Sequence, residues 1–375
     1  MRNSIVHVIT SLNSGGAQRA LHNVLQNGLS VDYRSIVISL KDEGHYGPIF
    51  KKLNVEVYTL NIYHILSFFK LRSILLRCNP ELIQGWMYHG NLVASLSVML
   101  LGKNIPLVWN VRQCLYDLKS EKCLTKWVIK LCVLIASRPF SIIYNSELSR
   151  SQHEQIGFCD RQSLVIPNGF PLQHFVFSSN FRNDIRLFLK LPEKAVVVGH
   201  VGRYHPMKDH QNFLRAAVHV AKRNLHVVFL LLGTNVDLSN GALEPLIPDG
   251  LKSRFLLLGE ISDVEKYYSA MDIFCLSSSS EAFPNVLGEA MACGLSCVTT
   301  DVGDAATIVG NTGVIVPPSN HVALADGIFE MLEKKDEELA SLKQMARKHV
   351  ELNFNIEDVV VCYQKLYDSL MSMRS

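Results

Sequence analysis

The sequence predicts an α/β fold: two Rossmann-like domains, each built on a parallel sheet, facing a central cleft. Three observations carry this. Short β-branched apolar runs alternate with helical patterns along the whole chain, as parallel strands joined by helical crossovers require. The alternation restarts after a turn signal, Pro167-Asn-Gly-Phe-Pro171, which divides the 375 residues into halves of domain size. Hydrophobic residues make up 48% and charged residues 19%, enough apolar material for two cores and too much for a disordered chain.

The first domain is expected over residues 1–168. Its strands read as Ile5–Ile9, Ile36–Leu40, Val55–Leu60, Leu82–Gln84, Leu107–Val111, Ile142–Tyr144 and Leu164–Ile166, with helices such as Gln18–Leu29 and Asn91–Leu101 between them. The second domain is expected over 169–355. Its strands are Ala195–Val201, His226–Leu232, Phe255–Leu258, Ile273–Leu276, Ser296–Thr299 and Gly313–Val316. Its helices include Gln211–Lys222, Val264–Ala270, Val286–Ala292 and Val322–Leu332. A last helix, roughly Ile356–Met371 within 356–375, is expected to pack back on the first domain.

The net charge of +3 hides an asymmetry. Residues 1–168 hold 18 Lys+Arg against 10 Asp+Glu, or +8; the rest hold 19 against 24, or −5. A basic half suits phosphates or an anionic membrane surface. The nine cysteines are irregularly spaced and fall mostly in apolar stretches, without the paired CxxC units of a zinc site. They read as reduced core thiols of a cytoplasmic protein. The N-terminal run is too short for a secretory leader and is broken by His7. No apolar stretch approaches the roughly 20 residues of a spanning helix. Neither metal nor nucleic acid is expected.

Three segments carry chemistry, each at the carboxyl end of a predicted strand, where sheets of this kind bind ligands. The first is Thr10-Ser-Leu-Asn-Ser-Gly15-Gly16-Ala-Gln-Arg19, a glycine turn opening a helix whose free N–H groups suit a phosphate. The second is Val198-Gly-His-Val-Gly-Arg203-Tyr-His-Pro-Met-Lys208. Two cations five residues apart can clamp a diphosphate and absorb charge on a departing nucleotide. The third is Ser277-Ser-Ser-Ser-Glu281-Ala-Phe283-Pro284-Asn285-Val286-Leu287-Gly-Glu289. Pro284 sits where a helix starts, and the amides of Asn285, Val286 and Leu287 are helix-start donors. Each segment alone has a plain alternative: a geometric glycine turn, a solvated basic loop, a capping glutamate.

Together they resemble glycosyltransferase family 4, a retaining group of GT-B fold, of the bacterial surface-polysaccharide type. That family pairs an early glycine loop with an Arg…Lys pair and a Glu-x7-Glu motif; here these are Gly15–Gly16, Arg203…Lys208 and Glu281…Glu289. Val165-Ile-Pro-Asn-Gly169 is similar to its interdomain linker, and Phe354-Asn-Ile-Glu357 to the entry of its final helix. The resemblance covers nearly the whole chain. It implies that Gly15 and Gly16 meet the distal phosphate and that Arg203 and Lys208 hold the diphosphate. It implies that Glu281 binds donor-sugar hydroxyls, that Glu289 accepts from the ribose, and that the backbone around Gly259 meets the base. Phe283, Pro284, Asn285, Val286 and Leu287 complete the donor set. Catalysis would fall to Glu281, Arg203 and Lys208. It also implies retention at the anomeric carbon and no metal or other cofactor beyond the co-substrate, a nucleotide diphosphate sugar such as a UDP-sugar.

One departure matters. Where many members carry a histidine after the fifth strand, this chain has Arg112, which cannot be a base but can stabilise a phosphate or a charged transition state. His89, in Trp86-Met-Tyr-His-Gly-Asn91, is a second candidate, facing the acceptor. The acceptor is expected to be a glycan or a polyprenyl-diphosphate-linked sugar in capsule, lipopolysaccharide O-antigen or exopolysaccharide synthesis. The stretches Asn61–Arg72 and Lys126–Ile135 mix aromatic, aliphatic and basic residues, as a helix lying against the inner face of the cytoplasmic membrane does. The alternatives are a sugar-nucleotide 2-epimerase and a catalytically silent nucleotide-sugar-binding protein. A dehydrogenase is disfavoured because no Gly-x-Gly-x-x-Gly follows the first strand.

Overall fold

The computed structural model describes residues 2–62, 66–115, 122–161 and 163–373. The chain forms two compact units. Unit 1 is Met1–Pro171 with Ile356–Ser375, and unit 2 is Leu172–Asn355. Residues 63–65 of the aromatic-basic stretch 61–72 lie outside the described residues.

Unit 1 carries seven strands: β1 (Ser4–Ile9), β2 (Arg34–Ser39), β3 (Glu56–Thr59), β4 (Leu82–Trp86), β5 (Leu107–Val111), β6 (Ser141–Tyr144) and β7 (Ser163–Val165). Its helices are α1 (Gly16–Val24), α2 (Ser30–Asp32), α3 (Tyr46–Lys52), α4 (Leu66–Cys78), α5 (Met87–Leu101), α6 (Cys123–Leu134) and α7 (Glu147–Gln155). Unit 2 has β8 (Val196–Val201), β9 (Val227–Leu232), β10 (Phe255–Leu257), β11 (Ile273–Leu276), β12 (Ser296–Thr300) and β13 (Val314–Val316). Its helices are α8 (Ser179–Phe188), α9 (His210–Arg223), α10 (Val264–Ala270), α11 (Asn285–Ala292), α12 (Ala305–Val309), α13 (His321–Glu333) and α14 (Asp336–Asn353); α15 (Ile356–Ser372) returns to unit 1.

Each sheet is parallel and doubly wound. The orders are β3-β2-β1-β4-β5-β6-β7 and β10-β9-β8-β11-β12-β13. In both, the strand order reverses beside the first strand, at β1/β4 and β8/β11. Those switch points are where such sheets open a crevice at their carboxyl edge. Buried Val, Ile, Leu and Phe fill both faces, as parallel strands covered on two sides require.

Two details correct the element expectations, and a third agrees with them. β4 runs on to Trp86 because Gly85 lets Asn91 of α5 pack against the strand; a Cβ at Gly85 would lie 2.5 Å from the Asn91 Cα. The first helix does not run unbroken to Leu29. A wide turn at Leu25–Leu29 interrupts it, with Gly28 at φ +152 facing Val360 of α15. Only glycine takes that backbone easily, and a Cβ there would lie 2.8 Å from Val360. The helix α15 lies in the unit 1 core: Ile356, Val359, Val360, Tyr363 and Tyr367 pack with Ile5, Leu21 and Trp86.

Candidate active site

In unit 1 the glycine loop follows β1. Gly15 caps α1 in an extended conformation and Gly16 opens the helix; both are exposed, and the space a Cβ would take at Gly16 is empty. The loop is braced. Gln18 Nε2 donates to Ser11 O at 2.9 Å, and Tyr46 N donates to Leu12 O at 2.8 Å. Gly44, at φ +47, fits against Leu12 and Asn13 where a Cβ would fall 2.4 Å from backbone. The loop is thus a rigid, open helix start of the kind that receives a phosphate.

Across the switch point, β4 passes into α5 through Met87 at φ +64, a costly conformation for a side-chain-bearing residue. This tight turn sets His89 in the first turn of α5, half-buried, where burial first and the Lys41 charge second lower its pKa. Gly90 lets α5 approach β1, since a Cβ would sit 2.5 Å from Val8 O.

Arg112 follows β5. Its Nε donates to Asn110 Oδ1 at 3.0 Å, and its two terminal nitrogens donate to Asn168 Oδ1 and the Tyr363 hydroxyl. The guanidinium lies 5.3 Å from the Trp86 ring centroid. Asn110 Nδ2 also donates to Tyr363 OH at 2.8 Å. Among the described residues no carboxylate pairs with Arg112; three neutral acceptors and the Trp86 face hold its fork.

Unit 2 builds its site on the turns after β8 and β11. Lys208 ends a short 3-10 turn, Pro206–Lys208, capped by His205. Its amine lies 2.5 Å from Glu281 Oε1, with the side chains only 21% and 13% exposed. Ser278 Oγ donates to the same carboxylate oxygen at 2.8 Å. The loop bearing Glu281 is held from beneath: Thr300 Oγ1 donates to Ser278 O at 2.6 Å, and Ser277 Oγ to Lys208 O at 2.9 Å. Asp304 N donates to Ala282 O at 2.9 Å, and Gly303, at φ +55, leaves no room for a Cβ beneath Glu281 O. Arg203 is exposed and has no partner among the described residues. Burial, then the cations Arg203 and Lys208, hold His205 below the usual histidine range.

The helix α11 starts at Asn285, with Pro284, whose side chain makes no capping bond, as its cap. Leu287 N already bonds back to Pro284 O at 3.1 Å, and its side chain is buried, as is that of Phe283 against Phe354. Phe283, Pro284 and Leu287 therefore shape this turn from within. Glu289 is 2% exposed and accepts from Tyr268 OH at 3.1 Å. Gly259 takes φ +73 beside Asp237, with its N–H given to Val236 O at 2.9 Å and its C=O accepting from Gly233 N at 2.7 Å. A backbone contact to a base from this segment falls on its neighbours.

So unit 2 joins Lys208 to Glu281 directly, sets Arg203 and the α11 start around the same switch point, and keeps Glu289 deeper. Unit 1 places Gly15–Gly16, His89 and Arg112 after β1, β4 and β5. Sequence reasoning missed Ser278, which fixes Glu281, and Asn110, Asn168 and Tyr363, which fix Arg112. The serine run signalled the first, while nothing local signalled the others.

Two parallel sheets of this order, each with an anion-suited switch point, define a GT-B architecture. A family model described as Glycosyltransferase Family 4 matches residues 14–174, and one described as Glycosyl transferases group 1 matches 195–334. The chain belongs to these glycosyltransferases. EpsF of Bacillus subtilis (strain 168), named as a glycosyltransferase, is 28% identical over 319 residues, 79% of each chain. The Escherichia coli UDP-Gal:alpha-D-GlcNAc-diphosphoundecaprenol alpha-1,3-galactosyltransferase is 27% identical over 66% of this chain and 64% of its own length. Anabaena Alr3699/HepE, solved in complex with UDP and glucose, shares the fold at TM-score 0.85 and 21% identity, over 98% of this chain and all of its own.

Proposed function

We propose that this glycosyltransferase moves a sugar from a nucleotide diphosphate sugar, a UDP-sugar foremost, to a hydroxyl of a glycan or polyprenyl-diphosphate-linked acceptor during bacterial surface-polysaccharide synthesis, with retention of configuration. The observation that carries this is the Lys208–Glu281 pair, 2.5 Å apart at the β8/β11 switch point, with Arg203 on the same loop without a partner among the described residues. A carboxylate that orients a lysine can also receive sugar hydroxyls, and two cations at a strand end can take the charge of a leaving diphosphate. Protein cations thus serve in place of a metal. The α11 amides would add donors to the diphosphate, and Glu289 would meet the ribose once Tyr268 yields. Gly15 and Gly16 would bind the distal phosphate, while His89 and Arg112 would serve the acceptor side and the transition-state charge. The UDP of HepE and the diphosphoundecaprenol acceptor of the Escherichia coli relative support the choice of substrates.

Membrane association at the inner face of the cytoplasmic membrane is part of the same proposal. Among the described residues no helix is long and apolar enough to cross a membrane. Instead α6 exposes Leu124, Trp127, Leu131 and Leu134 at helical spacing, with Lys126 and Lys130 interleaved. That pattern suits an anionic interface.

The test is nucleotide release from UDP-, GDP- and ADP-sugars, with and without a lipid extract, in EDTA, beside Lys208→Ala and Glu281→Ala. Acceptor-stimulated release of one nucleotide that survives EDTA and is lost in both variants is expected. Epimerised donor without released nucleotide would overturn the reading in favour of an isomerase. Binding without turnover under every acceptor condition would overturn it in favour of a silent nucleotide-sugar binder.

A further inference from the structure

Unit 2 carries a pocket of about 710 Å³ at the end of its sheet away from the switch point. Met271 and Leu295, just ahead of β11 and β12, form its floor, and one face of α14 forms a wall. The volume is that of a small-molecule site. Phe177, Met271, Leu295 and Ala340 make much of the surface apolar.

The charges around it are unequal. Arg182, Lys343, Arg347 and Lys348 line the pocket against a single carboxylate, Glu351, in a half of the chain whose net charge is negative. The two arginines are occupied. Arg182 donates to Asp272 Oδ1 at 2.6 Å and to the carbonyls of Ser269 and Met271. Arg347 donates to Glu351 Oε1 at 2.6 Å, to Phe175 O at 2.6 Å and to Ala292 O. Lys343 is different: half-buried, it has neither ion pair nor hydrogen bond among the described residues. Burial lowers its pKa, with Asp272 opposing that at a distance. Removing an ammonium from water without a partner is unfavourable, and an anion beside it would offset the loss.

We infer that this pocket binds a small amphiphilic anion, its head group on Lys343 and its apolar body against Phe177, Met271 and Leu295. The site is independent of the donor reading. It is nevertheless connected to the donor site through α11, which starts at the switch-point loop and ends just before Cys293–Gly294, two residues that wall the pocket. An occupant there is placed to report on, or act on, the donor end.

The probe is 8-anilinonaphthalene-1-sulfonate, titrated by fluorescence into the intact protein, with decanoate, decyl phosphate and uncharged decanol as competitors. Two variants accompany it. Lys343→Met removes the charge at similar volume, and Ala340→Trp fills the pocket from an exposed helical position. Circular dichroism establishes that both fold. The expected result is one saturable site, weakened at least tenfold in both variants and displaced by an anionic competitor but not by decanol. Displacement by decanoate alone or by decyl phosphate alone identifies the head group as carboxylate or phosphate. Binding within twofold of wild type in either folded variant overturns the inference, as does equal displacement by decanol.

Discussion

The two units hold their cations in opposite ways. In unit 1, Arg112 is fixed in place by neutral acceptors and an aromatic face, with no carboxylate partner among the described residues. In unit 2, Lys208 is fixed by a carboxylate while Arg203, five residues before it, stands exposed and without a partner among the described residues. A cation set among neutral dipoles keeps its field and loses its mobility, which suits charge stabilisation at one point. Under the proposed function, a lysine tied to a glutamate that would also receive sugar hydroxyls would exchange partners as a substrate arrives. The contrast makes Arg112 structural and electrostatic together, Arg203 electrostatic alone, and Lys208–Glu281 a coupled unit.

The largest effect tests the coupled unit. Lys208→Ala and Glu281→Ala should each lower kcat/KM by about 10²- to 10³-fold, on the order of 3–4 kcal/mol of transition-state stabilisation. The double variant should be little worse than the poorer single one, because residues that act as a unit are strongly non-additive. Multiplicative losses in a steady-state double-mutant cycle would show that the two side chains work separately and that their 2.5 Å contact is incidental.

The next effect separates the two arginines. Arg112→Ala should reduce kcat by about tenfold and also destabilise the protein by about 1–3 kcal/mol, since it leaves Asn168 and Asn110 short of donors inside the unit. Arg112→Lys should recover little of either, because an ammonium cannot replace a planar fork that meets three acceptors. Arg203→Ala should reduce activity to a similar degree with no change in Tm, being exposed. Equal stability losses in the two alanine variants, measured by thermal unfolding, would erase the distinction between the units.

Acid should act on both. His7 and His153 of unit 1 are pushed down to about 3 and about 4, and His210 of unit 2 to about 4, in each case chiefly by burial; His200 is lowered well below its ordinary value. His7 Nε2, His200 Nε2 and His210 Nδ1 have no partner among the described residues, as neutral rings tolerate and charged rings do not. The unfolded chain binds a proton near pH 6.5 while the folded rings refuse it until about pH 4 or below. Stability should therefore be level above pH 6.5 and fall as pH drops from there toward 4, by roughly 1–3 kcal/mol per buried ring. His200→Phe, which keeps the stack on Phe213 at 4.7 Å, should flatten part of that slope. An unchanged slope, followed by denaturant midpoints across the range, would assign the acid response elsewhere.

Much of this was legible in the sequence, and what was not has a common cause. Most strand cores were readable because parallel strands buried on both faces are short β-branched runs; the partly exposed β3, β7 and β13 were read from their apolar residues alone. The helix α14 was not, since it is polar, opens with Asp336, Glu337 and Glu338, and buries only Ala346 and Val350. The short α8 fully buries no residue, and its apolar stripe of Phe181, Ile185 and Phe188 spans only two turns. The segments Gly15–Gly16, Arg203…Lys208 and Glu281…Glu289 were readable because each is a local loop at a strand end. Their pairings were not. Lys208 meets Glu281 across 73 positions and Arg112 meets Tyr363 across 251, and no local pattern encodes such a contact. The burial of Glu289 on Tyr268 is of the same kind, a carboxylate eight residues after Glu281 that faces the core.

The smallest effect compares exposed apolar surface. In unit 1, Trp127 is 62% and Leu134 79% exposed on α6 beside Lys126 and Lys130, with the Lys130 amine 5.4 Å from the Trp127 ring centroid. In unit 2, Leu187 and Phe188 are 80% and 71% exposed at the end of α8, where Arg186 is already committed to Asp272. Lys126 and Lys130 interleaved with the apolar residues of α6, against an Arg186 held by Asp272 on α8, predict unequal affinity for an anionic surface, because a basic residue near such a surface adds about 1 kcal/mol. The double variant Trp127→Ser with Leu134→Ser should weaken binding to phosphatidylglycerol-containing vesicles severalfold while leaving turnover of a soluble acceptor intact. Leu187→Ser with Phe188→Ser should change neither. Co-sedimentation at low and at physiological salt decides between the faces: loss in the α8 variant, or no loss in the α6 variant, would remove the basis for assigning membrane contact to the basic unit.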